Sequence, residues 1–383
     1  MYADDFLYKK LDERKKEGSF RQLKLPEGKI DFCSNDYLGI VHDNKLTESN
    51  PRLNDIVGQG QLLPDLRSGA GATGSTGSRL LAGNYQLIEQ TEKQIASFHQ
   101  SDTALIFNSG YDANIGSIAA IAQRGDTILY DALCHASIRD GIRLSFAESF
   151  SFAHNDMEAL AKRLQHTRDS KGNIIVVTET VFSMDGDLCP LNELVALCEK
   201  YSAHLVVDEA HATGVIGERG EGLVQHLGLQ NKVFARMHSF GKACGCHGAV
   251  ILGSATLRDY LINFSRSFVY STSLPPHAVA MISEAYKLFP TMQAERKQLQ
   301  GLIQQFQSAN ISYEKLSSQT AIQVVIIPGN ENVKTLAEKL QENNLDVRPI
   351  LYPTVPKGKE RLRIVLHAFN TNDEVGILTE MLK

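Results

Sequence analysis

The sequence predicts an α/β fold with a mostly parallel central sheet that is covered on both faces. From about residue 86 onward, apolar runs rich in β-branched residues alternate with segments of helical period, which is typical of α/β proteins. The apolar runs are continuous, and continuous runs indicate strands that are buried on both faces. The five predicted strands are TALIFN (103–108), DTILY (126–130), NIIVVTE (173–179), HLVVDE (204–209) and GAVILG (248–253).

Helical segments flank these strands and continue toward the C-terminus. An amphipathic helix before the first strand is predicted by one apolar stripe, formed by Leu87, Thr91, Ile95 and Phe98. After SLPP (273–276) the pattern changes to a long helix, and a second, smaller α/β lobe follows. Its elements are AIQVVIIP (321–328), a helix, VRPILYP (347–353), RLRIVLHA (361–368) and a last helix that begins at a capping box of Thr371 and Glu374.

The chain is too long for one simple core, since it has 383 residues. We therefore expect three parts. They are an N-terminal segment (1–45), a large domain (46–275) and a small C-terminal domain (276–383).

Charge and hydropathy exclude several functional classes. A net charge of −5 provides no basic surface for nucleic acid. No apolar run is long enough to cross a bilayer, and MYADDFLYKK (1–10) has no apolar run after its charges, so we expect a cytoplasmic protein without a membrane partner. The six cysteines do not resemble a disulfide framework and should remain thiols. Cys244 and Cys246 have the wrong spacing for a zinc pair, and no metal site is expected.

Polar residues follow the predicted strands, where ligands bind in sheets of this kind. Because Glu179 and Asp208 are separated by about one strand–helix–strand unit, we expect both carboxylates at one edge of the sheet. The candidates, in chain order, are Ser109, Gly110 and Tyr111 at the start of a helical segment, then His135, Glu179, Ser183, Asp208, His211 and Lys242.

Each candidate also has a purely structural explanation. Asp208 alone could be a helix cap, and each histidine could be a satisfied buried residue. Lys242 lies among small residues in HSFGKACG (238–245), and a lysine is most often a surface residue. Their joint placement favours one shared site. A helix N-terminus with hydroxyls suits a phosphate, an aspartate suits a protonated ring nitrogen and a lysine suits a Schiff base, which together describe pyridoxal phosphate.

The motifs around these residues resemble the α-oxoamine synthases, a group of fold-type I pyridoxal-phosphate enzymes. The resemblance covers nearly the whole chain and implies a large cofactor-binding domain, a smaller C-terminal α/β domain and a homodimer with its active site at the interface. The segments that carry it are NDYLG (35–39), SGAGATGSTGSRLLAGN (68–84), ETVFSMDGD (179–187), DEAHATG (208–214), SFGKACGCHGA (239–249), SRSFVYSTSLPP (265–276) and RLR (361–363).

Members of this family condense an amino acid with an acyl thioester and release carbon dioxide. The motif RLLAGN (79–84) favours the member that joins L-alanine to a pimeloyl thioester in biotin biosynthesis. Members that use glycine or serine with another acyl-CoA are the alternative. The acyl group would arrive on coenzyme A or on an acyl carrier protein.

The resemblance also implies roles around the cofactor ring. Lys242 would bind the cofactor aldehyde covalently and then remove the Cα proton of the amino acid. Asp208 would keep the ring nitrogen protonated, because the ring then accepts electrons more readily. His135 would stack on the ring, His211 would contact the phenolic oxygen, and Ser183 would lie nearby. Glu179 would either support this chemistry or only hold a neighbouring group by a hydrogen bond.

Further residues would bind the phosphate and the substrates. Arg363 would bind the amino-acid carboxylate with help from Asn35, because a guanidinium fork matches a planar carboxylate. Arg21 is the candidate for a distal carboxylate on the acyl group. The phosphate site would contain Ser109, Gly110, Tyr111, Ser239 and, from the neighbouring subunit, Thr272. His238 and Cys244 have no implied role, and packing is the default for both.

Two other functional classes compete with this interpretation. Gly69, Gly71 and Gly74 match the spacing G-x-G-x-x-G of nicotinamide dehydrogenases. The residues before them, QLLPDLRS (61–68), contain a proline and charges instead of an apolar strand, so the context argues against a dehydrogenase. The second competitor is a catalytically silent protein that keeps the cofactor fold. The intact set of Lys242 and its partners argues against that alternative.

Overall fold

The computed structural model describes residues 4–26, 28–49, 74–167 and 171–383. The chain forms two compact units. The large unit contains Leu38–Ser183 and Leu188–Arg296, and the small unit contains Met1–Tyr37, Met184–Asp187 and Lys297–Lys383. The domain limits predicted from the sequence stay a prediction. Gly69 and Gly71 lie outside the described residues.

The strands are short, as expected for an α/β protein. In chain order they are β1 (Ile30–Asp31), β2 (Thr103–Phe107), β3 (Thr127–Asp131), β4 (Glu148–Phe152), β5 (Ile174–Glu179), β6 (His204–Asp208), β7 (Ala235–Ser239), β8 (Ala249–Gly253), β9 (Glu314–Lys315), β10 (Ile322–Ile326), β11 (Leu345–Asp346), β12 (Arg348–Ile350) and β13 (Arg361–Val365).

Helices separate most of these strands. In chain order they are α1 (Asp5–Lys16), α2 (Lys45–Ser49), α3 (Gln86–Phe98), α4 (Gly110–Ile121), α5 (Ala136–Leu144), α6 (Met157–Thr167), α7 (Leu191–Lys200), α8 (Leu223–His226), α9 (Ala255–Phe264), α10 (Arg266–Val269), α11 (Pro276–Leu288), α12 (Gln293–Ser308), α13 (Asn330–Glu342) and α14 (Asn372–Met381). A 3-10 turn spans Phe289–Thr291. Within the described residues, no helix combines the length and the hydropathy that crossing a membrane needs.

The large unit is built on a seven-stranded sheet with the order β2-β8-β7-β6-β5-β3-β4. Only β8 runs antiparallel to its neighbours β2 and β7, so the sheet is mostly parallel, as predicted. The five strands predicted from apolar runs are confirmed as β2, β3, β5, β6 and β8. Strands β4 and β7 were not predicted. Strand β4 is a mostly exposed edge strand, and β7 contains Arg236 and His238.

Both faces of this sheet are buried. One core packs α4, α5, α9 and α10 against residues such as Val177, Val206 and Met237. The other core packs α6 and α7 against the alternate residues, such as Val176, Leu205 and Val207. The period of two residues along each strand therefore sends neighbouring side chains into different cores. The helix predicted before β2 is confirmed as α3, whose buried stripe begins at Ile88.

The small unit contains an antiparallel sheet with the order β12-β13-β10-β9 and a short parallel pair, β1-β11. The strands predicted in this part of the sequence are confirmed as β10, β12 and β13. The last helix, α14, begins at the predicted capping box: Thr371 accepts from the backbone of Glu374, and the Glu374 side chain accepts from the backbone of Thr371. All six cysteines lie in the described residues, and none of them forms a disulfide.

Candidate active site

A cavity of about 190 Å³ lies in the large unit where the parallel strands end. Its walls bring together most of the residues predicted for this unit, namely Gly110, Tyr111, His135, Glu179, Asp208, His211, Ser239 and Lys242. Four residues that were not predicted complete the walls, namely Asn114, Ser137, Ala210 and Met237. The expectation that polar residues after separate strands share one site is therefore met within this unit.

Two carboxyl groups end neighbouring strands of the cavity wall. Glu179 on β5 and Asp208 on β6 are direct partners in the strand register, as expected from their spacing. Asp208 Oδ2 accepts a hydrogen bond from Asn114 Nδ2 at 2.8 Å, and Asp208 Oδ1 accepts one from the backbone N–H of Ala210 at 2.8 Å. Both oxygens are thus held by donors, which fixes the orientation of the Asp208 carboxylate.

Lys242 lies in the turn between β7 and β8, with its Nζ 2.8 Å from His211 Nε2. The turn is closed by a hydrogen bond from the Gly245 backbone N–H to the Lys242 carbonyl at 2.8 Å. Gly245 has a φ of +61°, and a Cβ at this position would lie 2.7 Å from Ile40 Cγ2. Both the backbone conformation and the close contact require glycine here, so this glycine helps to position the lysine.

Glu179 is buried and acts as a hydrogen-bond acceptor. Its Oε1 accepts from the backbone N–H of His135 at 2.5 Å, and only 2% of the residue is exposed. Burial raises the pKa of Glu179 to about 8, and the nearby charge of Asp208 acts in the same direction, while the His135 hydrogen bond and Lys242 oppose the shift. Burial therefore favours the protonated form of the Glu179 carboxyl at neutral pH.

His135 caps helix α5 and is held in one tautomer. Its Nδ1 accepts from the backbone N–H of Ser137 at 3.2 Å and lies 2.8 Å from Ser137 Oγ. Ser137 Oγ accepts from Asn114 Nδ2 at 3.0 Å, so its own hydrogen is available for His135. Desolvation lowers the pKa of His135, and Lys242 adds to the shift, while Asp208 opposes it. The neutral ring then carries its hydrogen on Nε2.

The N-terminus of α4 opens onto the cavity. Ser109 is the cap residue, and its Oγ accepts from the Asp112 backbone N–H at 3.0 Å. The first helical residues, Gly110 and Tyr111, line the cavity, whereas Ser109 does not. Beside this N-terminus, Ser239 Oγ lies 3.7 Å from the position that a Cβ of Gly110 would take, and it accepts from the Gly241 backbone N–H at 3.3 Å. A helix N-terminus beside a hydroxyl is a suitable binding site for an anion.

Other predicted residues lie elsewhere. Ser183 is buried but does not line the cavity. Thr272 lines a separate small pocket, and its carbonyl accepts from Asn108 Nδ2 at 2.7 Å.

Three predicted residues belong to the small unit. Arg363 Nη2 donates to Asn35 Oδ1 at 3.1 Å, so the structure brings this predicted pair together. Arg21 Nη2 donates to Thr354 Oγ1 at 2.9 Å and lines a groove of about 710 Å³.

Sequence reasoning missed Asn114 and Ser137, and both had a weak local signal. Asn114 lies one helical turn after Gly110, which places the two residues on the same face of α4. Ser137 lies two residues after His135, where a side chain can bond to the cap of the helix. A search for polar residues one turn into each helix that follows a strand would have found Asn114.

The donor set of the cavity fits pyridoxal phosphate. The N-terminus of α4 and Ser239 suit the phosphate, Asp208 suits a protonated ring nitrogen, and Lys242 suits the aldehyde. The cavity thus contains both the amine of Lys242 and the carboxylate of Asp208. Within the described residues, no group of three or more His, Cys, Asp or Glu side chains is arranged to hold a metal ion.

Comparisons with known proteins agree with this chemistry. The family model described as aminotransferase class I and II matches residues 27–382. The 8-amino-7-oxononanoate synthase of Emericella nidulans is 40% identical, and the match covers 94% of this chain and 89% of that protein. The serine palmitoyltransferase of S. paucimobilis, solved with bound PLP and myriocin, matches with a TM-score of 0.85 and 26% identity over 99% of this chain and 96% of that one. An 8-amino-7-oxononanoate synthase structure from Francisella tularensis matches with a TM-score of 0.73 and 26% identity over 93% and 97% of the two chains.

Proposed function

Because the chain belongs to the aminotransferase class I and II family, we propose that it condenses L-alanine with a pimeloyl thioester. The products are 8-amino-7-oxononanoate, carbon dioxide and the free thiol, which is a step of biotin biosynthesis. The protein is a pyridoxal-phosphate-dependent C-acyltransferase. One observation carries the proposal: Lys242, His211 and Asp208 line the same cavity, and Lys242 Nζ lies 2.8 Å from His211 Nε2. The identity of 40% with a named 8-amino-7-oxononanoate synthase supports the choice of substrates.

Pyridoxal phosphate, when bound, supplies an aldehyde that condenses with an amine and a ring that takes up an electron pair from the adjacent carbon. The residues that would hold it are those of the cavity wall. The N-terminus of α4 at Gly110 and Tyr111, together with Ser239, would bind the phosphate. Asp208 would pair with the protonated ring nitrogen, and its two donors, Asn114 and the Ala210 backbone N–H, hold the carboxylate in place.

Lys242 is the group that moves the proton of alanine Cα. Its Nζ takes this proton before the carbon attacks the thioester, and it returns a proton to the product carbon after decarboxylation. His211 Nε2, at 2.8 Å, provides a hydrogen-bond partner that orients the amine. The small residues Gly241 and Ala243 on either side of Lys242 leave the side chain space to move.

Glu179 supports this site as a neutral acid. A second carboxylate beside Asp208 would oppose it electrostatically, and the proton that Glu179 holds removes this repulsion. Its hydrogen bond to the His135 backbone N–H fixes the start of α5 and with it the His135 ring. The His135 ring stacks on the cofactor, and the raised pKa of Glu179 favours a supporting hydrogen bond over direct proton transfer near neutral pH.

The substrate carboxylates bind to arginines. Arg363, which donates to Asn35 within the small unit, binds the carboxylate of alanine through its guanidinium fork. Arg21, which donates to Thr354, binds the distal carboxylate of the pimeloyl group.

The enzyme acts as a homodimer in which Thr272 of the partner subunit completes the phosphate site. Coenzyme A or an acyl carrier protein carries the acyl group. These assignments rest on the resemblance to the α-oxoamine synthases, whose motifs the chain contains in the same order.

A matched set of reactions tests the proposed reaction. Purified protein is loaded with pyridoxal phosphate and incubated with alanine, glycine or serine and with pimeloyl, acetyl or palmitoyl thioesters. We expect the wild type to release thiol and carbon dioxide and to form 8-amino-7-oxononanoate only with alanine and a pimeloyl thioester. Turnover only with serine and a palmitoyl thioester would instead support the activity named for the S. paucimobilis structural relative.

A further inference from the structure

A second group of polar residues lies on the opposite face of β6 and β7 from the cavity. Met237 and Ser239 line the cavity, whereas Arg236 and His238 alternate with them and point to the other face. We call the buried residues there the far-face cluster, which consists of Glu209, His238, Thr213, His99 and Arg236. Each of the five is at most 2% exposed. None of them has a role in the reaction described above.

The hydroxyl of Thr213 fixes the tautomer of His238. Thr213 Oγ1 donates its only hydrogen to the carbonyl of Glu209 at 2.8 Å. The same oxygen lies 2.9 Å from His238 Nδ1 and must accept from it. The neutral His238 ring therefore carries its hydrogen on Nδ1, and Nε2 presents a lone pair.

That lone pair faces a carboxyl oxygen. His238 Nε2 lies 3.6 Å from Glu209 Oε2, and neither atom has a hydrogen-bond partner within the described residues. The other oxygen, Oε1, accepts from the backbone N–H of Val224 at 3.0 Å. Two bare acceptors facing each other in a buried site are unfavourable, and one proton between them both removes the repulsion and satisfies both atoms.

The charges around the pair indicate which of the two holds that proton. Burial raises the pKa of Glu209 to about 7, and Asp208 adds to the shift, while backbone N–H groups and Arg236 oppose it. Burial, His99 and Arg236 hold the pKa of His238 well below its usual value. These shifts favour Glu209 over His238 as the holder of the proton below neutral pH.

The other groups that face the pair are His99, Tyr286 and the Arg236 guanidinium, whose Nη1 has no hydrogen-bond partner within the described residues. The centroids of the His99 and His238 rings lie 4.0 Å apart. Burial holds the pKa of His99 well below its usual value. His99 Nε2 bonds to the hydroxyl of Tyr286 at 3.1 Å, and Arg236 Nη2 donates to the His99 carbonyl at 2.8 Å. Asp208 is the neighbouring carboxylate whose charge raises the pKa of Glu209.

We infer that Glu209 is a protonated carboxylic acid whose proton faces the lone pair of His238 Nε2, 3.6 Å away, and that this pair positions Asp208 and Lys242 for the reaction. Glu209 directly follows Asp208, and the Thr213 backbone N–H donates to the Glu209 carbonyl at 2.9 Å, which closes the turn that carries His211. His238 directly precedes Ser239, at the end of the strand that leads to Lys242. The contact between Glu209 and His238 thus joins the two segments that bear the reacting groups. The effect on catalysis rests on the proposed function, whereas the protonation of Glu209 does not.

Infrared spectroscopy of the full-length protein tests the protonation directly. We expect the spectrum of the wild type minus that of Glu209→Gln at pH 6 to contain the carbonyl band of a neutral carboxylic acid, and the band to disappear at pH 9. Glu199→Gln is the matched control, because Glu199 is an exposed residue paired with Lys232, and its difference spectrum should lack the band. The absence of the band for Glu209 at pH 6 would overturn the inference.

Unfolding free energies test the same proton without any substrate. The glutamine amide can donate to His238 Nε2 while its oxygen accepts from Val224, so Glu209→Gln imitates the neutral acid. Because the pKa of Glu209 is raised from 4.5 to about 7, its stabilising contribution is complete below pH 4.5 and is lost as the pH rises through 7. We expect the variant to gain stability relative to the wild type across this window and the difference to stay constant above it. A constant difference at all pH values would contradict the inference.

Steady-state kinetics test the positioning role. We expect Glu209→Gln to retain kcat/KM within about threefold and to lack the fall in kcat/KM that the wild type shows near pH 7. We expect His238→Phe, which leaves the acid without an acceptor, to lower kcat/KM by about tenfold. A loss of more than tenfold in Glu209→Gln would show that a charged carboxylate is required and would overturn the inference. A carbonyl band in an enzyme that does not condense alanine with a pimeloyl thioester would reject the proposed function alone.

Discussion

Asp208 and Glu209 are adjacent in sequence, yet they occupy opposite environments. Asp208 lines the cavity and receives hydrogen bonds on both oxygens, from Asn114 and from the Ala210 backbone. Glu209 is fully buried on the other face, and its Oε2 lies 3.6 Å from His238 Nε2. The comparison teaches that hydrogen-bond donors and burial, not residue type, decide which buried carboxyl is charged. One strand end can therefore place a carboxylate toward the cofactor site on one face of the sheet, while the next residue, a neutral acid on the other face, helps to fix the position of that carboxylate.

The largest effect is expected at the cavity face, where one amine does the proton transfer. Lys242→Ala should lower kcat by at least about 1,000-fold, because a positioned general base contributes roughly 100- to 10,000-fold and the covalent link to the cofactor is lost as well. Thiol release measures the rate, and borohydride reduction followed by mass spectrometry measures the covalent link. Lys232→Ala is the control, because Lys232 is exposed and pairs with Glu199 at the surface. Equal activity of the two variants would remove Lys242 from the mechanism.

The next effect compares the two neighbouring acids directly. Asp208→Asn replaces a charge that the ring nitrogen requires, and we expect kcat/KM to fall by about 100-fold, which corresponds to about 3 kcal/mol. The same change of acid to amide at Glu209 should leave the rate nearly unchanged, because that residue is already neutral. The absorbance of bound cofactor should also change in Asp208→Asn alone. Equal losses in both variants would mean that the two faces do not differ as described.

A smaller effect is expected from the donor that holds Asp208. Asn114→Ala removes the 2.8 Å hydrogen bond to Asp208 Oδ2 and the 3.0 Å hydrogen bond to Ser137 Oγ. A hydrogen bond to a charged group is worth about 1.5–3 kcal/mol, so kcat/KM should fall by about 10- to 100-fold. Ser137→Ala, which leaves the bond to Asp208 in place, should lose less than Asn114→Ala. The reverse order would indicate that Asn114 acts through His135 instead.

The sequence alone predicted most residues of the cavity face but assigned no role to the far face. Strands β2, β3, β5 and β6 were predicted because their apolar runs are continuous and polar residues follow them directly. Strand β7 was missed because Arg236 and His238 interrupt its apolar pattern, and these two residues are buried only through contacts with distant residues such as His99. Asn114 was missed for a related reason, since its partner Asp208 is distant in sequence and the contact exists only after α4 packs on the sheet.

The smallest effect on rate is expected at Glu179, which tests whether the cavity face also contains a neutral acid. Glu179→Gln keeps an oxygen that accepts from the His135 backbone N–H, so we expect kcat/KM at pH 7 to stay within about threefold of the wild type. The pKa of Glu179 is raised from 4.5 to about 8, so its stabilising contribution is complete below pH 4.5 and is lost as the pH rises through 8. The variant should therefore gain unfolding free energy relative to the wild type between these pH values in the cofactor-free protein. If Glu179→Gln lost as much activity as Asp208→Asn, Glu179 would have to act as a charged group. The two carboxyl groups of the cavity would then not differ in charge.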